Sequence, residues 1–559
     1  MSKIKVADYL VQELNKLGIE DFFGLPGDYN FNILYAIDDN PNTNWIGCTN
    51  ELNAGYAADG YARIKGYGAL VTTYGVGELS AMNAIAGSFA ETIPVIKIVG
   101  VPKTSAIKTN KLIHHNFQNP DYYAFERAFS NVTETTAYLD ENNAKAEIDR
   151  ILSVFVKTRK PVYVAIPIDT CLVEIENDPQ IEFPKTDKNE LNIAVEHAIR
   201  LVNKSTKPMI LGDVLIKRFN AREEFTNFLL KSKYPVSNLL MGKGIIDAEY
   251  KMYLGTFLSE FENLIAHDAL QESDCVVSIG IINSDLNTYR NGLPFSPDNF
   301  ISVQGNYTII ENHKYENILM KDFLDALGEK ITPREIEMPT KKPSFEKSGE
   351  ASDATLTSQY IYPRVQEFLK PNDMIFVETG IIPHGFAPTR LKENVEVNTQ
   401  TLWGSIGWAT PATLGGMVAD KSRRTILLTG EGSHQLTALE ISTMMRNDLK
   451  PIVIVFNNAG YTIERILSNS PWDFFNEISN WNYSKLPHVF EGEVWTTQAR
   501  TTKEFDEALK QAEIEQKSRM CYIEIFTGKM DLPNLTAKIM ANIKKEISKD
   551  MESQEEVSI

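Results

Sequence analysis

Residues 423–464, RRTILLTGEGSHQLTALEISTMMRNDLKPIVIVFNNAGYTIE, decide the fold. A short apolar run, 425–429, ends abruptly at Gly430 to Ser433, and a helix-like segment follows. A second apolar run, 452–456, ends just as abruptly in the polar and small residues Asn457 to Gly460. This pattern predicts a strand, a helix and a second strand parallel to the first.

The turn after the first run is suited to an anion. Gly430 and Gly432 permit positive φ and close approach of the backbone, and the amides from Ser433 onward would point at a ligand above the helix, which favours a phosphate. The helix itself is predicted from residues suited to a buried face at helical spacing, namely Leu436, Leu439 and Thr443.

The two strand ends predict a cation site. A right-handed crossover places the ends of both strands on one edge of the sheet, so that Glu431 and Asn458 meet in space. One carboxylate and one amide oxygen suit a hard cation such as Mg²⁺, which completes its octahedron with water and phosphate oxygens. A ligand-free βα turn is the alternative for a lone G-x-G, and the paired return at Asn458 weighs against it.

Composition limits the function classes. The chain has 559 residues, a formal net charge of −18 and a pI near 5.1, which argue against binding to nucleic acid or to membrane surfaces. Its four cysteines are scattered without metal or redox spacing, which fits a reducing compartment. No apolar stretch approaches about 18 residues, and the N-terminus lacks a signal-peptide core, so we expect a soluble cytoplasmic enzyme.

The pattern of helices and strands predicts three doubly wound parallel-sheet α/β domains. We expect them at 1–180, 190–340 and 354–559. Charged, proline-containing linkers are predicted at 176–188 and 332–353, and the charged tail after residue 544 is expected to fray.

Several acidic and histidine residues are candidates for acid–base chemistry. Glu51 lies between a predicted strand at 45–48 and a helix rich in small residues, where a lone glutamate is usually solvated or a cap. His114 and His115 are adjacent, so their side chains should point to different sides and form a poor metal pair. Asp28 and Glu464, taken singly, are a turn residue and a solvated helix residue.

Taken together, these segments resemble the thiamine diphosphate enzymes, in the form used by the 2-oxo acid decarboxylases. The resemblance is carried by Gly430 to Ser433 followed after one helix by Asn457 to Glu464, and by residues 50–63, NELNAGYAADGYAR. The pair His114-His115, with Asp28 and Glu464, resembles the proton relay of the pyruvate and indolepyruvate decarboxylase branch. The joint occurrence of all four residues makes this signal specific.

The resemblance implies a thiamine diphosphate-binding fold with a pyrimidine-binding domain, a middle domain and a diphosphate-binding domain. It implies that Glu51 hydrogen-bonds the aminopyrimidine ring and activates the cofactor, and that Glu51, Asp28, His114, His115 and Glu464 form the catalytic set. In residues 402–407, LWGSIG, the Gly404 carbonyl would receive the exocyclic amine and Ile406 would hold the bent cofactor. Further cofactor contacts are implied at Thr379, Gly430, Gly432, Ser433, Asn458, Gly460, Tyr461 and Ile463, and Mg²⁺ ligands at Glu431, Asn458 and Gly460.

By the same resemblance, the substrate is a 2-oxo acid that loses CO2 and leaves as an aldehyde, the thiazolium acting as electron sink. The pocket is expected to involve Leu286, Thr379, Pro383, His384, Trp403, Ile463 and Leu467, with the helix around residues 535–539 closing it. Branched-chain, aliphatic or aromatic 2-oxo acids are the expected substrates, and a preference for pyruvate is the alternative. Because Glu51 and the Glu431 site come from different subunits in this family, a homodimer or homotetramer is implied.

Two further readings stay open. A thiamine-dependent carboligase would share Glu51 and the diphosphate motif, although that group typically binds FAD and lacks the histidine pair. The second alternative is a family member that has lost the ability to bind the cofactor. The departures behind it are Glu431 in place of the usual Asp, Ile381 in place of a hydroxyl residue, Pro383 and His384 at pocket positions, and Leu467 to Pro471 in place of His-Gly-Pro.

Overall fold

The computed structural model describes residues 2–289, 292–294, 300–334, 336 and 345–543. These residues form two compact units. The first comprises Met1–Lys185, Trp403–Arg423 and Thr437–Leu449, and the second comprises Thr186–Leu402, Arg424–Leu436 and Lys450–Ile559. Part of the predicted second linker and the predicted frayed tail lie outside the described residues. The mixed α/β class with parallel sheets is confirmed, and the three domain boundaries stay a prediction.

The N-terminal part of the first unit is built on a six-stranded parallel sheet of order β3-β2-β4-β5-β7-β6, with β1 and β8 as a separate antiparallel pair. Its strands are β1 Lys3–Lys5, β2 Asp21–Gly24, β3 Asn44–Gly47, β4 Gly68–Thr73, β5 Val95–Val101, β6 Thr136–Tyr138, β7 Val162–Pro167 and β8 Glu174–Glu176. Its helices are α1 Val6–Lys16, α2 Phe31–Asp38, α3 Glu51–Lys65, α4 Val76–Ser80, α5 Met82–Ala90, α6 Thr104–Lys108, α7 Ala124–Phe129 and α8 Ala144–Thr158.

The central strands of this sheet are buried on both faces. Every residue of β4, β5 and β7 is buried, which explains their nearly unbroken apolar runs. One face packs on the amphipathic helices α1 and α8. Loops at the carboxyl ends of the strands are therefore held on a rigid base, and those loops carry the candidate residues.

Residues 186–334 of the second unit form a seven-stranded sheet of order β11-β10-β9-β12-β13-β14-β15, in which the pairs β13–β14 and β14–β15 are antiparallel and the other pairs are parallel. Its strands are β9 Pro208–Gly212, β10 Val236–Asn238, β11 Tyr253–Thr256, β12 Cys275–Ile279, β13 Phe300–Val303, β14 Tyr307–Ile310 and β15 His313–Glu316. Its helices are α9 Lys188–Lys204, α10 Leu215–Arg218, α11 Arg222–Ser232, α12 Leu264–Gln271 and α13 Met320–Lys330. The two antiparallel pairs depart from the predicted parallel sheet, because short turns join β13 to β14 and β14 to β15.

Residues 345–543 carry a third sheet, six-stranded and parallel, of order β17-β16-β18-β19-β21-β20. Its strands are β16 Met374–Val377, β17 Glu396–Thr399, β18 Thr425–Gly430, β19 Ile452–Asn457, β20 Val494–Ala499 and β21 Met520–Phe526. The helices are α14 Ser358–Phe368, α15 Ile382–Phe386, α16 Ala409–Ala419, α17 Glu431–Thr437, α18 Glu440–Arg446, α19 Thr462–Leu467 and α20 Thr502–Glu515. Of these, α16 and α18 belong to the first compact unit.

The predicted helix after β18 is two helices, and of its three predicted buried residues Thr443 is buried and the two leucines are not. Leu436 and Leu439 are 47% and 55% exposed, whereas His434 and Ile441 are fully buried. The break between α17 and α18 shifts the helical phase, so a single period drawn through both segments selects the wrong face. Within the described part of the chain, the helices lack the combination of length and apolarity that a bilayer crossing requires.

Candidate active site

The ends of β18 and β19 bring Glu431 and Asn458 together, as the crossover predicts. Strands β18 and β19 are paired in parallel, with Gly430 opposite Phe456. Oε1 of Glu431 accepts a hydrogen bond from the Gly460 amide at 2.8 Å and from the Asn458 amide at 3.2 Å. Both side chains are buried, Glu431 at 2% exposure and Asn458 at 8%.

This pair fits a divalent cation. The Oδ1 atom of Asn458 is buried and accepts no hydrogen bond from the described residues, which is costly unless a ligand satisfies it. Burial raises the pKa of Glu431 to about 7 despite the amides that face it, so a nearby cation would be needed to hold it firmly ionised. A Cβ placed on Gly430 would meet nothing within 4 Å, which leaves open space beside the carboxylate. Glu431, Asn458 and the Gly460 backbone could therefore hold Mg²⁺ and, through it, a diphosphate.

A buried arginine braces this loop, and sequence reasoning missed it. Arg465 is fully buried, and its guanidinium donates to the carbonyl oxygens of Ala459 at 2.5 Å and Asn458 at 3.4 Å. It also pairs with Glu477 at 3.1 Å. The only signal in the sequence was a cation directly after Glu464, and such a residue on a short helix normally reads as solvated.

Helix α19 carries three of the predicted site residues. Ile463 is partly buried, Leu467 is 48% exposed, and the two lie on one face because they are four residues apart. The Glu464 side chain is exposed, and its carboxylate has no hydrogen bond to the described residues. The helix thus presents an apolar strip beside a free carboxylate.

Two further predicted cofactor residues lie near the turn after β18. Ser433 is buried in α17. Tyr461 precedes α19, and its ring packs so closely on Gly432 that a Cβ at that glycine would come within 2.5 Å of it.

Around β16 and α15 the predicted residues separate into two groups. Thr379 is partly exposed in the loop after β16, and Gly380 beside it has a φ of 104° with open space around its Cα. Pro383 is buried in the first turn of α15. His384 hydrogen-bonds the Thr536 hydroxyl at 3.1 Å and packs on the Tyr289 ring.

His384 lines a cavity of about 480 Å³ in the second unit, together with the buried Lys243. The other predicted pocket residues, Leu286, Pro383, Trp403, Ile463 and Leu467, are not among its lining residues. The contact of His384 with Thr536 agrees with the predicted proximity of the segment around 535–539.

In the first unit, Glu51 is the first residue of α3. Asn50 caps the helix by accepting the Asn53 amide at 2.8 Å, and Glu440 of α18 ties down the preceding turn by accepting from the Thr49 hydroxyl at 2.6 Å. The Glu51 carboxylate is partly exposed and makes no hydrogen bond to the described residues. These contacts fix the start of α3 and leave the Glu51 carboxylate available to a ligand.

The structure brings Asp28, His114 and His115 together. Nε2 of His114 lies 2.9 Å from Oδ2 of Asp28, its Nδ1 lies 3.3 Å from the Tyr29 hydroxyl, and the two imidazole rings are 4.7 Å apart. One ligand atom from each of the three residues lies within 4.8 Å of the others. The prediction that the histidines diverge is therefore wrong: His115 has a φ of 65°, and this left-handed backbone turns its side chain back towards His114.

Segment 403–408 is also anchored within the first unit. The Trp403 indole donates to Asn83 at 2.9 Å, and the Ser405 hydroxyl is hydrogen-bonded to the Tyr56 hydroxyl of α3 at 2.5 Å. Gly404 has a φ of 66°, which only glycine adopts without strain, and Ile406 is partly exposed. The segment that carries Gly404 and Ile406 is thus fixed to the helix that begins with Glu51.

Family models match three successive parts of the chain. They are the thiamine pyrophosphate enzyme N-terminal TPP binding domain over residues 4–125, the central domain over 195–327 and the C-terminal TPP binding domain over 378–525. The class of protein is therefore a thiamine diphosphate enzyme.

Relatives narrow this class. The chain is 35% identical to pyruvate decarboxylase of Kluyveromyces lactis over 552 residues, which covers 96% of this chain and 98% of the relative. It is 34% identical to pyruvate decarboxylase isozyme 1 of Saccharomyces cerevisiae, over 95% of this chain and 97% of the relative, and 34% identical to pyruvate decarboxylase of Aspergillus fumigatus, over 97% and 98%. The chain belongs to the thiamine diphosphate-dependent 2-oxo acid decarboxylase family.

Proposed function

We propose that the protein decarboxylates 2-oxo acids without oxidation, giving an aldehyde and CO2, with thiamine diphosphate held through Mg²⁺. The observation that carries this proposal is the buried Asn458 Oδ1 beside Glu431, which has no hydrogen-bond partner among the described residues and suits a Mg²⁺–diphosphate group at that sheet edge. The bound cofactor supplies a thiazolium ring that accepts the electron pair released with CO2.

The remaining tasks fall to side chains of this chain. Glu51, anchored at the start of α3, hydrogen-bonds the pyrimidine ring, and Gly404 and Ile406 orient the cofactor. Asp28, His114 and His115 hold and deliver protons at the reacting carbon, with Glu464 as a second carboxyl group. The contact between Asp28 and His114 supports this role, because the carboxylate and the imidazole nitrogen lie within hydrogen-bond distance of each other.

Pyruvate is the substrate that the relatives favour, since those compared are named pyruvate decarboxylases and align over nearly their full length. Longer aliphatic or aromatic 2-oxo acids are the second candidate. The exposed apolar strip of Ile463 and Leu467 favours them, because it offers contact area to an apolar substrate side chain. Apolar pockets discriminate a methylene by only about 1 to 3 kcal/mol, so we expect overlapping activities.

The test is aldehyde release from pyruvate, 2-oxoisovalerate and phenylpyruvate, with and without added thiamine diphosphate and Mg²⁺. Aldehyde formation that needs both additions and falls at least about 100-fold in Glu51→Gln supports the proposal. A condensed hydroxyketone in place of free aldehyde would indicate a carboligase. Absence of turnover together with absence of cofactor binding would refute the proposal.

We further propose a homodimer or homotetramer in the cytoplasm. Apolar side chains stay exposed on elements that carry the site, among them Val76 at 57% and Leu79 at 40% on α4. Light scattering of the loaded enzyme measures the assembly, and a fully active monomer would contradict it.

A further inference from the structure

A lysine and a glutamate are completely buried beside Glu51 in the first unit. Lys97 on β5 and Glu78 on α4 each have no exposed surface. Lysine and glutamate are rarely buried in this way, because each charge loses its hydration.

Both groups are held by hydrogen bonds. The Lys97 ammonium donates to the hydroxyl of Thr72 on the neighbouring strand β4. Glu78 accepts from the Gly75 amide at 2.7 Å and from the Tyr163 hydroxyl at 2.8 Å. Tyr163 is the residue paired with Lys97 across β5 and β7, so both side chains share one face of the sheet.

Thr72 connects this lysine to Glu51. A Cβ placed on Gly77 would lie 3.2 Å from Oε1 of Glu51 and 3.5 Å from Cβ of Thr72. One threonine side chain therefore separates the Lys97 ammonium from the surroundings of the Glu51 carboxylate. Lys97 and Glu78 are fully buried, so their charges act through a medium of low dielectric constant.

We propose that Lys97 is a positioning residue that places a positive charge near the Glu51 carboxylate, with Glu78 limiting the strength of its field. This inference rests on the proposed role of Glu51. A cation near Glu51 favours the state in which its proton lies on the pyrimidine ring of the cofactor.

The protonation of Lys97 fits this role. Burial lowers the pKa of Lys97 to about 7, against the attraction of Glu78 and Glu51, so the amine is mostly charged only below about pH 7. Burial also raises the pKa of Glu78 to about 7, and Lys97 opposes that rise. The other titratable groups that act on Glu78 or its partner Tyr163 are Glu126 and Tyr138.

The test compares Lys97→Met and Thr72→Val with Val95→Ala, a truncation of another buried residue on β5. Two quantities are measured against pH: kcat/KM for pyruvate, and thiamine diphosphate affinity from tryptophan fluorescence without substrate. We expect Lys97→Met to move the acid limb of both profiles upward by about 1 pH unit, and Thr72→Val to move it less in the same direction. Val95→Ala should lower thermal stability and leave both profiles in place.

Superimposable profiles for wild type and Thr72→Val would overturn the inference, even if Lys97→Met does not fold. Profiles of Lys97→Met that match those of Val95→Ala would show that Lys97 is merely structural. A wild-type protein that neither binds the cofactor nor releases aldehyde would refute the proposed function instead, so the two failures are distinguishable.

Discussion

The first and third sheets carry polar residues at their carboxyl edges, in opposite surroundings. After β2 and β5, Asp28 and His114 are 51% and 58% exposed and hydrogen-bonded to each other. After β18 and β19, Glu431 is 2% exposed and the Oδ1 of Asn458 has no partner in the described residues. The two sheets are similar, yet one edge carries an exposed cluster whose groups hydrogen-bond to each other. The other edge carries a buried cluster with an acceptor that has no partner in the described residues.

This difference fits the proposed roles of the two edges, proton transfer at the first and cation binding at the third. Exposed groups that satisfy one another exchange protons with solvent at little cost, so they can be changed without affecting stability. A buried acceptor without a partner destabilises the ligand-free chain, and the free energy is recovered only when a ligand binds. Substitutions at the two edges should therefore have different signatures.

The largest effect is expected for Asn458→Ala. Thiamine diphosphate affinity at fixed Mg²⁺ should fall by about 100-fold, since a metal ligand is lost. The unfolding free energy of the ligand-free protein should change by no more than about 1 kcal/mol, because the deleted Oδ1 had no partner. Calorimetric titration and urea unfolding measure the two quantities.

Asn447→Ala serves as the control, because its amide only donates to the Thr443 carbonyl at 2.8 Å. It should leave cofactor affinity unchanged. Unaltered thiamine diphosphate affinity in Asn458→Ala would show that Asn458 is not a metal ligand.

His114→Ala should act on turnover alone. We expect kcat to fall by about 100-fold, with the unfolding free energy within about 0.5 kcal/mol of wild type, because the side chain is exposed. His488→Ala is a matched control, since His488 is also exposed and pairs only with Thr496. A large loss of stability in His114→Ala would contradict the contrast between the two edges.

Arg465→Met should lower the unfolding free energy by about 2 kcal/mol, because the carbonyls of Ala459 and Asn458 lose a buried donor. Cofactor affinity should fall with it, since the loop carries Gly460. Arg465→Lys should not restore stability, because an ammonium cannot span the same acceptors. A stable Arg465→Met variant that binds cofactor normally would show that the loop needs no brace.

The smallest effect concerns His434 on α17. Burial lowers the pKa of His434 from its ordinary 6.5 to about 3, and its Nε2 lies 2.9 Å from the Tyr522 hydroxyl. Below pH 6.5 the unfolded chain takes up a proton that the folded chain refuses, so stability falls as the pH falls, by up to about 1.4 kcal/mol per pH unit. His434→Gln should reduce this slope between about pH 6.5 and 5.5 in denaturant titrations. An unchanged slope would mean that other groups dominate the acid response.

The sequence predicted the bounds of strands better than it predicted which face of a helix is buried. Strands β18 and β19 begin at the predicted residues and end one residue beyond the predicted ends, because abrupt changes between apolar runs and Gly or Pro mark them. The buried face of α17 and α18 was wrong, since Leu436 and Leu439 are exposed and a break between the helices cannot be read from periodicity. The predicted substrate pocket stays a prediction, because contacts between distant segments define a pocket.

The sequence by itself determined the α/β class, the meeting of Glu431 with Asn458 and the family, because these depend on chain order, crossover handedness and local motifs. Only the tertiary structure decided that His115 turns back towards His114, that Arg465 braces the loop at 458–460 and that Lys97 is buried near Glu51. Each of these depends on a backbone conformation or on burial by residues remote in the chain. Local patterns carry no record of such contacts, which arise when the sheets and helices pack.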